Sequence, residues 1–294
     1  MSSETLKAWI QASRPPFFIA TLAPLLIGWI SAKAYGLHPD RFLLVVLGSF
    51  VVHLVTNLAN DYFDYIKGTD SGESIGGSRV IQEGKILPDV LLKVIVILYC
   101  IAFLIAFIIM FSLNLFVILP LILFAAFSSF FYVAPPIRYG YYGFGELFVG
   151  INMGPIIVVG TYWVIAGRFD WVPFYISLPV GLMVASILYY QSLPDMKTDL
   201  AAGKYTLAVK LGKKGAFTGL IVFWVLIYMA VISLILTKVL SWHALIFLIS
   251  IPVCVKMVRT AKNTEDWIIL DQYGRYVRIL YGLNSIAIIA GLFN

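Results

Sequence analysis

The sequence predicts an all-α, polytopic membrane protein, with nine transmembrane helices in a bundle around a central cavity and cap loops on the cytoplasmic side. Composition is the first reason, because 61% of the 294 residues are hydrophobic and only 12% are charged, about half the charged share of a soluble domain. The second is a series of apolar stretches of about 20 residues, the length that crosses a bilayer as a helix. The third is the uneven distribution of basic residues between alternate loops.

The apolar stretches divide the chain into nine predicted spans. The spans lie near residues 15–35, 41–62, 92–112, 114–134, 144–166, 172–192, 215–237, 241–259 and 276–293. The third and fourth spans almost touch around Ser112–Asn114, which predicts a tight hairpin. An odd number of spans places the two termini on opposite sides of the membrane.

Basic residues distinguish the two sides of the membrane. With the N-terminus in the cytoplasm, 17 of the 21 lysines and arginines fall in cytoplasmic segments, as the positive-inside rule requires. We therefore predict a multi-pass protein of the plasma membrane, with its N-terminus and the loops near 65–91 and 197–214 in the cytoplasm. The net charge of +6 has the same origin. The sequence shows no basic tail or aromatic-basic module of the kind that binds nucleic acid.

Two matched sets of polar residues stand at the cytoplasmic ends of the second and sixth spans. The first set contains Asn57, Asn60, Asp61 and Asp64, and the second contains Gln191, Asp195 and Asp199. Residues three and four apart share a helix face, so the members of each set should project together. The match indicates one domain over 1–294, built from two repeated halves (1–134 and 144–260) and a last helix, 276–293. Duplicated bundles commonly place their site between the halves.

Clustered carboxylates repel one another unless a cation lies between them. Oxygen ligands favour Mg²⁺ or Ca²⁺, and Mg²⁺ is typically held by a few carboxylates together with substrate phosphates. Basic residues follow both motifs, and cations pair well with phosphate. The residues therefore predict a diphosphate bound with Mg²⁺ beside an apolar bundle, which suits a polyprenyl diphosphate. Asp70, in the loop after the first motif, is a further candidate metal ligand.

The two motifs, Asn60–Asp64 (NDxxD) and Asp195–Asp199 (DxxxD), resemble those of the UbiA superfamily of intramembrane prenyltransferases. Several other stretches are similar to the 1,4-dihydroxy-2-naphthoate prenyltransferases of menaquinone synthesis. These are residues 13–15, 76–81, 143–147, 154–155, 160–162 and 202–212. The resemblance implies the nine-helix plan and Mg²⁺-dependent transfer of a polyprenyl group from an isoprenyl diphosphate to an aromatic acceptor, with loss of CO₂ from the naphthoate.

The resemblance, together with the spacing, also implies roles for individual residues. The metal ligands would be Asp61, Asp64, Asp195 and Asp199. Oxygens of the diphosphate or of metal-bound water would be oriented by Asn57 and Asn60. The candidates that grip the diphosphate are Arg14, Lys67, Arg79, Arg138 and Lys204. Gln191 should lie on the acceptor side, and Glu146 should either pair with a basic residue or contact the acceptor.

Other features of the same regions leave alternatives open. Tyr139, Tyr141 and Tyr142 either form an interfacial aromatic belt or cover an allylic cation. His53, two turns before Asp61, is expected to be a buried, hydrogen-bonded histidine. The third aspartate of the ubiquinone-type pattern is replaced here by glycine.

Two rival functions remain at this stage. An ion-coupled transporter also contains intramembrane carboxylates and repeats, although carriers place them near the membrane midplane. A related prenyltransferase could instead act on a glycerol phosphate, a tetrapyrrole, a haem or another quinone precursor. The sequence does not indicate prenyl chain length or oligomeric state.

Overall fold

The computed structural model describes residues 3–69 and 75–293, which form twelve α-helices and no β-strand within those ranges. The helices are α1 (Ser3–Ser13), α2 (Ile19–Ser31), α3 (Pro39–Lys67), α4 (Pro88–Ser112), α5 (Leu119–Phe131), α6 (Gly145–Ile151), α7 (Ile157–Ala166), α8 (Trp171–Ser192), α9 (Met196–Ala201), α10 (Leu207–Leu236), α11 (Ile251–Asn263) and α12 (Arg275–Gly291). A π-helical stretch, Asn152–Ile156, joins α6 to α7. The prediction of an all-α fold is confirmed.

The number of membrane spans is not confirmed at nine. Among the described residues, six helical segments are long and apolar enough to cross a membrane: α3, α4, Gly145–Ala166, α8, α10 and Trp242–Asn263. A seventh is the pair Ser3–Phe17 and Ile19–Ser31, if its 52° bend lies within one span. The fourth and ninth predicted spans correspond to shorter helices, Phe116–Phe131 and the 17-residue α12.

The surface of α4 shows why the bundle requires an apolar environment. Its most apolar 18 residues have a mean hydropathy of 3.2, yet only 17% of them are buried inside the protein. Phe103, Leu104 and Phe107 are each about half exposed. Leaving such side chains in water costs about 1.5–3 kcal/mol each, so this surface faces lipid and the protein is a multi-pass membrane protein.

Small residues allow the helices to approach one another closely. A Cβ added to Gly154 would lie 2.7 Å from Cα of Gly181, so the stretch between α6 and α7 packs directly against α8. A Cβ on Gly28 of α2 would lie 2.5 Å from the carbonyl oxygen of Val158 in α7. Such contacts between glycines and neighbouring backbones are typical of membrane helix interfaces.

Candidate active site

The first aspartate motif lies in the last two turns of α3. The helix runs to Lys67, beyond the predicted span end at 62, and ends at Gly68, whose φ of 78° is in the left-handed region. Glycine adopts that conformation without a Cβ clash and so terminates helices efficiently. Asp61 and Asp64 are 3% and 1% exposed. Two carboxylates so deeply buried need partners.

Asp61 is held from two directions. The guanidinium of Arg14, in the break between α1 and α2, donates to Oδ1 and forms an ion pair. Ser78 donates both its backbone N–H (3.0 Å to Oδ1) and its hydroxyl to the same carboxylate. Gln11 in turn donates to the carbonyl oxygen of Ser78, at 2.7 Å. The loop after α3 is therefore folded back over the first motif and tied to α1.

Asp64 connects the two motifs. Lys204 places its ammonium 3.3 Å from Oδ2 of Asp64 and 3.7 Å from Oδ1 of Asp199. Burial lowers the pKa of Lys204, but Asp64 and Asp199 raise it by more, so its pKa lies well above the usual value and the ammonium stays charged. Tyr141 donates its hydroxyl to Oδ1 of Asp64 and is 2% exposed. The predicted meeting of the two motifs is thus observed as shared contacts with one lysine.

The second motif departs from the predicted geometry. We expected Gln191, Asp195 and Asp199 to continue one helix, but α8 ends at Ser192 and Asp195 precedes α9. The backbone N–H of Asp199 still donates to the carbonyl oxygen of Asp195 (2.8 Å), so one turn separates the two carboxylates. Asp195 accepts from the backbone N–H of Ile75 at 3.3 Å. Burial raises the pKa of its carboxyl, opposed by backbone hydrogen bonds to the loop after α3.

Further cations surround the Asp64–Lys204 pair. The ammonium of Lys67 donates to the carbonyl oxygen of Ala202 (3.2 Å) and lies 3.8 Å from the ring centroid of Tyr141. Arg138 and Lys204 are close enough to Lys67 to repel it. This concentration of positive charge, only partly neutralised by carboxylates, is suited to bind an anion with several charges.

Three candidate phosphate-binding arginines share an unusual backbone conformation. Arg14, Arg79 and Arg138 have φ values of 52°, 62° and 46°, a region that costs a non-glycine residue of order 1–3 kcal/mol. Residues in such conformations cluster at functional sites, where the surrounding structure fixes them. Arg79 follows Ser78 in the loop that covers Asp61.

A cavity of about 360 Å³ lies next to this charged site: it is lined by Arg14, the partner of Asp61, and by Asn60, which donates to Oδ2 of Asp64 at 3.0 Å. Arg14, Asn57, Asn60 and Gln191 line its polar end, and Val45, Ile109, Ile118 and Val164 line its apolar end. On α3 its wall runs from Asn60 to Val45, which is about 22 Å at 1.5 Å per residue. Asn57 Nδ2 and Thr161 Oγ1 line the cavity without a hydrogen-bond partner among the described residues. The predicted central cavity is therefore present.

Two predicted site residues are not among those that the described part of the structure brings together. Glu146 is 5% exposed in the first turn of α6 but does not line the cavity. It also forms no ion pair within residues 3–69 and 75–293, so its role in substrate binding stays a prediction. Asp70 lies outside the described residues.

Contacts of Ser78 and Tyr141 with the aspartates of the first motif were not predicted from the sequence. Ser78 lies in a glycine-rich loop, where a serine looks like ordinary turn chemistry. Tyr141 was assigned to an aromatic belt or to cation contact, whereas it binds Asp64 and accepts from Thr69 at 2.7 Å. Tyr142, by contrast, is 54% exposed. A buried tyrosine in a short turn following Pro135-Pro136 carries no sequence signal that distinguishes it from its neighbour.

Comparisons with known proteins identify the family. The model of the UbiA prenyltransferase family matches residues 21–269. The chain belongs to this family. Among its UbiA relatives, the 1,4-dihydroxy-2-naphthoate octaprenyltransferase of Bacillus subtilis is 29% identical over 87% of this chain and 82% of that protein. The 2-carboxy-1,4-naphthoquinone phytyltransferase of Synechocystis is 31% identical over 89% of this chain and 85% of that protein.

A solved UbiA structure supports the same fold. A UbiA homologue from Archaeoglobus fulgidus bound to DMAPP and Mg²⁺ superposes with a TM-score of 0.57 at 14% identity, covering 95% of this chain and 98% of that one. The prediction of a UbiA-family prenyltransferase is confirmed, and the chain is an enzyme of that class.

Proposed function

We propose that this UbiA-family enzyme transfers a polyprenyl group from an isoprenyl diphosphate to 1,4-dihydroxy-2-naphthoate, with loss of CO₂, in menaquinone biosynthesis. The observation that carries the proposal is the convergence of Asp64, Asp199 and Lys204 next to the polar end of an apolar cavity, where the cavity-lining Asn60 donates to Oδ2 of Asp64 at 3.0 Å. The charged end suits a diphosphate with its metal, and the apolar end suits a prenyl chain. The names of the two naphthoate relatives support this acceptor.

The donor atoms at the site fit Mg²⁺. They are carboxylate oxygens, which this ion prefers, and Mg²⁺ usually takes one or two carboxylates plus substrate phosphate. Within the described residues no three carboxylate, imidazole or thiol groups lie close enough to hold a metal by themselves, which agrees with a site that the diphosphate completes. The residues that would hold the ion are Asp61, Asp64, Asp195 and Asp199, with Asp70 as a further candidate.

The chain's own groups then divide the work. Bound Mg²⁺ would stabilise the charge on the departing diphosphate. Cations bind the phosphate oxygens: Arg14, Lys67, Arg79, Arg138 and Lys204. The amides of Asn57 and Asn60 orient the diphosphate, and the unpartnered Nδ2 of Asn57 is free to donate to it. Gln191, at the same end of the cavity, faces the acceptor.

Bond changes in this transfer balance without a further reagent. The prenyl C–O bond breaks and its electron pair leaves with the diphosphate. The naphthoate ring supplies the pair for the new C–C bond. Aromaticity returns when CO₂ leaves the attacked carbon and its bonding pair re-enters the ring, or when a proton leaves instead. The apolar cavity excludes the water that would otherwise capture the allylic cation.

The membrane arrangement is part of the same proposal. Nine spans result if the bent pair, Phe116–Phe131 and α12 also cross the bilayer, and the repeated halves then place one motif each at the same end. The 17-to-4 distribution of basic residues supports a plasma-membrane protein with this end in the cytoplasm. The prenyl donor then enters from the side where soluble acceptors are made.

The test is a transfer assay with purified protein, Mg²⁺, labelled geranylgeranyl diphosphate and a panel of acceptors. We expect prenylated product from 1,4-dihydroxy-2-naphthoate with one CO₂ released per transfer, and none with chelator. Transfer only to a glycerol phosphate, a tetrapyrrole, a haem or another quinone precursor would contradict the acceptor. Diphosphate-independent ion uptake into vesicles would instead support a transporter.

A further inference from the structure

A band of polar side chains crosses the wall of the cavity. His53 and Thr56 on α3, Tyr99 on α4 and Ser129 on α5 all line it. The two α3 residues stand one turn closer to the membrane interior than Asn57 and Asn60, or about 5.4 Å along the helix. Polar groups away from water are costly unless they are hydrogen-bonded, so the presence of these four polar side chains next to the diphosphate site requires explanation.

His53 presents one ring nitrogen to the cavity. Its Nδ1 is hydrogen-bonded to the hydroxyl of Thr21 on α2, and the ring of Phe18 packs edge-on against it at 5.6 Å. Thr21 is 0% exposed, and its hydroxyl has no other partner among the described residues. The hydroxyl must therefore donate to Nδ1, since its proton would otherwise be buried unpaired. Nε2 then carries the proton of the neutral ring, and this ring lines the cavity, so we infer that it can donate to a bound ligand.

Beside His53, three hydroxyls form a directed chain of hydrogen bonds. Thr56 donates to the carbonyl oxygen of Val52 (2.7 Å), so its Oγ1 accepts from Ser129 (2.6 Å). The proton of Ser129 is used in that bond, so its oxygen accepts from Tyr99 at 2.9 Å. All three hydroxyl protons are therefore donated within these hydrogen bonds, whereas lone pairs on the oxygens of Tyr99 and Thr56 can still accept. This wall offers acceptors only.

We propose that His53 and the Tyr99–Ser129–Thr56 hydroxyl chain form the subsite for the aromatic acceptor. Nε2–H of His53 donates to one ring oxygen, and the hydroxyl chain accepts from the hydroxyl at the opposite ring position. His53 and Thr56 are three residues apart on α3, so both project from the same face of the helix and can contact one ring. By accepting a hydrogen bond from the ring hydroxyl, the hydroxyl chain raises the electron density of the ring and so favours its attack on the prenyl group. The inference rests on the proposed function and assigns its acceptor site.

The test uses substitutions that remove one hydrogen bond each. His53→Leu and Tyr99→Phe should each raise the KM for 1,4-dihydroxy-2-naphthoate about tenfold, as expected for one lost hydrogen bond, and leave the KM for prenyl diphosphate within about twofold. His53→Gln places an amide N–H near the position of Nε2–H and should recover most of the loss. His243→Leu is the matched control, because His243 bonds to Ser241 and the carbonyl oxygen of Phe293 outside the cavity.

Acceptors that lack one ring hydroxyl make the test specific. With such an acceptor, one of the two substitutions should lose its effect, since the bond it removes no longer forms. A changed KM for the diphosphate alone would show that the band contacts the prenyl chain and would overturn the proposal. So would equal effects of both substitutions on every acceptor.

Direct binding separates this inference from the proposed function. Calorimetric affinity for 1,4-dihydroxy-2-naphthoate should fall in His53→Leu and Tyr99→Phe, even if turnover is too slow to measure. If the wild type binds the naphthoate through these residues but never prenylates it, the proposed function fails and the subsite stands. If it prenylates the naphthoate and neither substitution changes binding, the subsite fails and the function stands.

Discussion

Replacement of Lys204 by glutamine removes the cation that both aspartate motifs share. The Lys204 side chain is 15% exposed, and those of Asp64 and Asp199 are 1% and 8% exposed. The substitution leaves two buried carboxylates facing each other, and breaking a buried pair in this way costs about 3–5 kcal/mol. We expect the free energy of unfolding to fall by that amount. The pKa of Lys204 is raised, so the lysine stops stabilising the folded protein only when the pH rises through this raised pKa. The decrease in the free energy of unfolding caused by the substitution should therefore be constant over about pH 6–9.

Mg²⁺ should compensate for the missing ammonium. A ligand that binds only the folded state adds about 2.7 kcal/mol at 100 times its Kd, so saturating Mg²⁺ should recover a large part of the lost stability. The wild type should gain less, because its ammonium competes for the same oxygens. Prenyl transfer should nevertheless stay at least about 100-fold below wild type, since a charge-assisted contact worth about 3 kcal/mol with the diphosphate is gone.

Thermal unfolding in detergent measures both effects. The thiol of Cys254 is 8% exposed and reports unfolding when it reacts with a fluorogenic maleimide, in a Cys100→Ser background because Cys100 is exposed. Lys197→Gln, an exposed lysine on α9, is the matched control and should melt like the wild type. Equal melting of Lys204→Gln and wild type in chelator, with equal gains from Mg²⁺, would refute the reasoning.

Four further outcomes are expected. Asp61→Asn and Asp195→Asn should each abolish prenyl transfer, while gel filtration still shows a folded protein, because an amide keeps the packing but removes a metal ligand. Tyr141→Phe should lower activity about tenfold and raise the Mg²⁺ requirement, since one hydrogen bond to a buried carboxylate is lost; an unchanged Mg²⁺ titration would contradict this. Leu200→Cys, at a position 53% exposed, should react with an impermeant maleimide only in permeabilised cells. Gln191→Ala should change the acceptor KM and keep the Mg²⁺ dependence, and an unchanged acceptor profile would remove Gln191 from the acceptor side.

The parts of the site that the sequence predicted are the local ones. Asn57, Asn60, Asp61 and Asp64 lie on one helix because residues three and four apart share a face, and α3 carries them as expected. A separate argument predicted that the second motif lies nearby: the distribution of basic residues between alternate loops placed both motifs on the same side of the membrane. Helix periodicity acts within a short segment, and the distribution of charge between loops acts on each loop as a whole, so both can be recognised without knowing how the helices pack.

The parts that escaped prediction depend on contacts between distant residues. Arg14 meets Asp61 across 47 residues of sequence, and Tyr141 meets Asp64 across 77. No periodicity encodes such pairs, because they follow from how the helices pack. The break before α9 did have a signal, since Pro194 has no N–H and cannot extend the hydrogen bonds of α8.

The network of charges explains why the site tolerates so many buried ions. Arg14 neutralises Asp61, and Lys204 neutralises Asp64 and Asp199 in part, so the carboxylates are stabilised by the same cations that we assign to the diphosphate. If diphosphate and Mg²⁺ bound together as proposed, they would allow an exchange of partners: the carboxylates would be available to hold the metal, and Arg14 and Lys204 would be available to bind the phosphate. Neither ligand alone would permit that exchange. Diphosphate without a metal would be repelled by the buried carboxylates, and Mg²⁺ without diphosphate would be repelled by the ammonium of Lys204. The pairing between the two motifs therefore favours joint binding of metal and diphosphate over binding of either one.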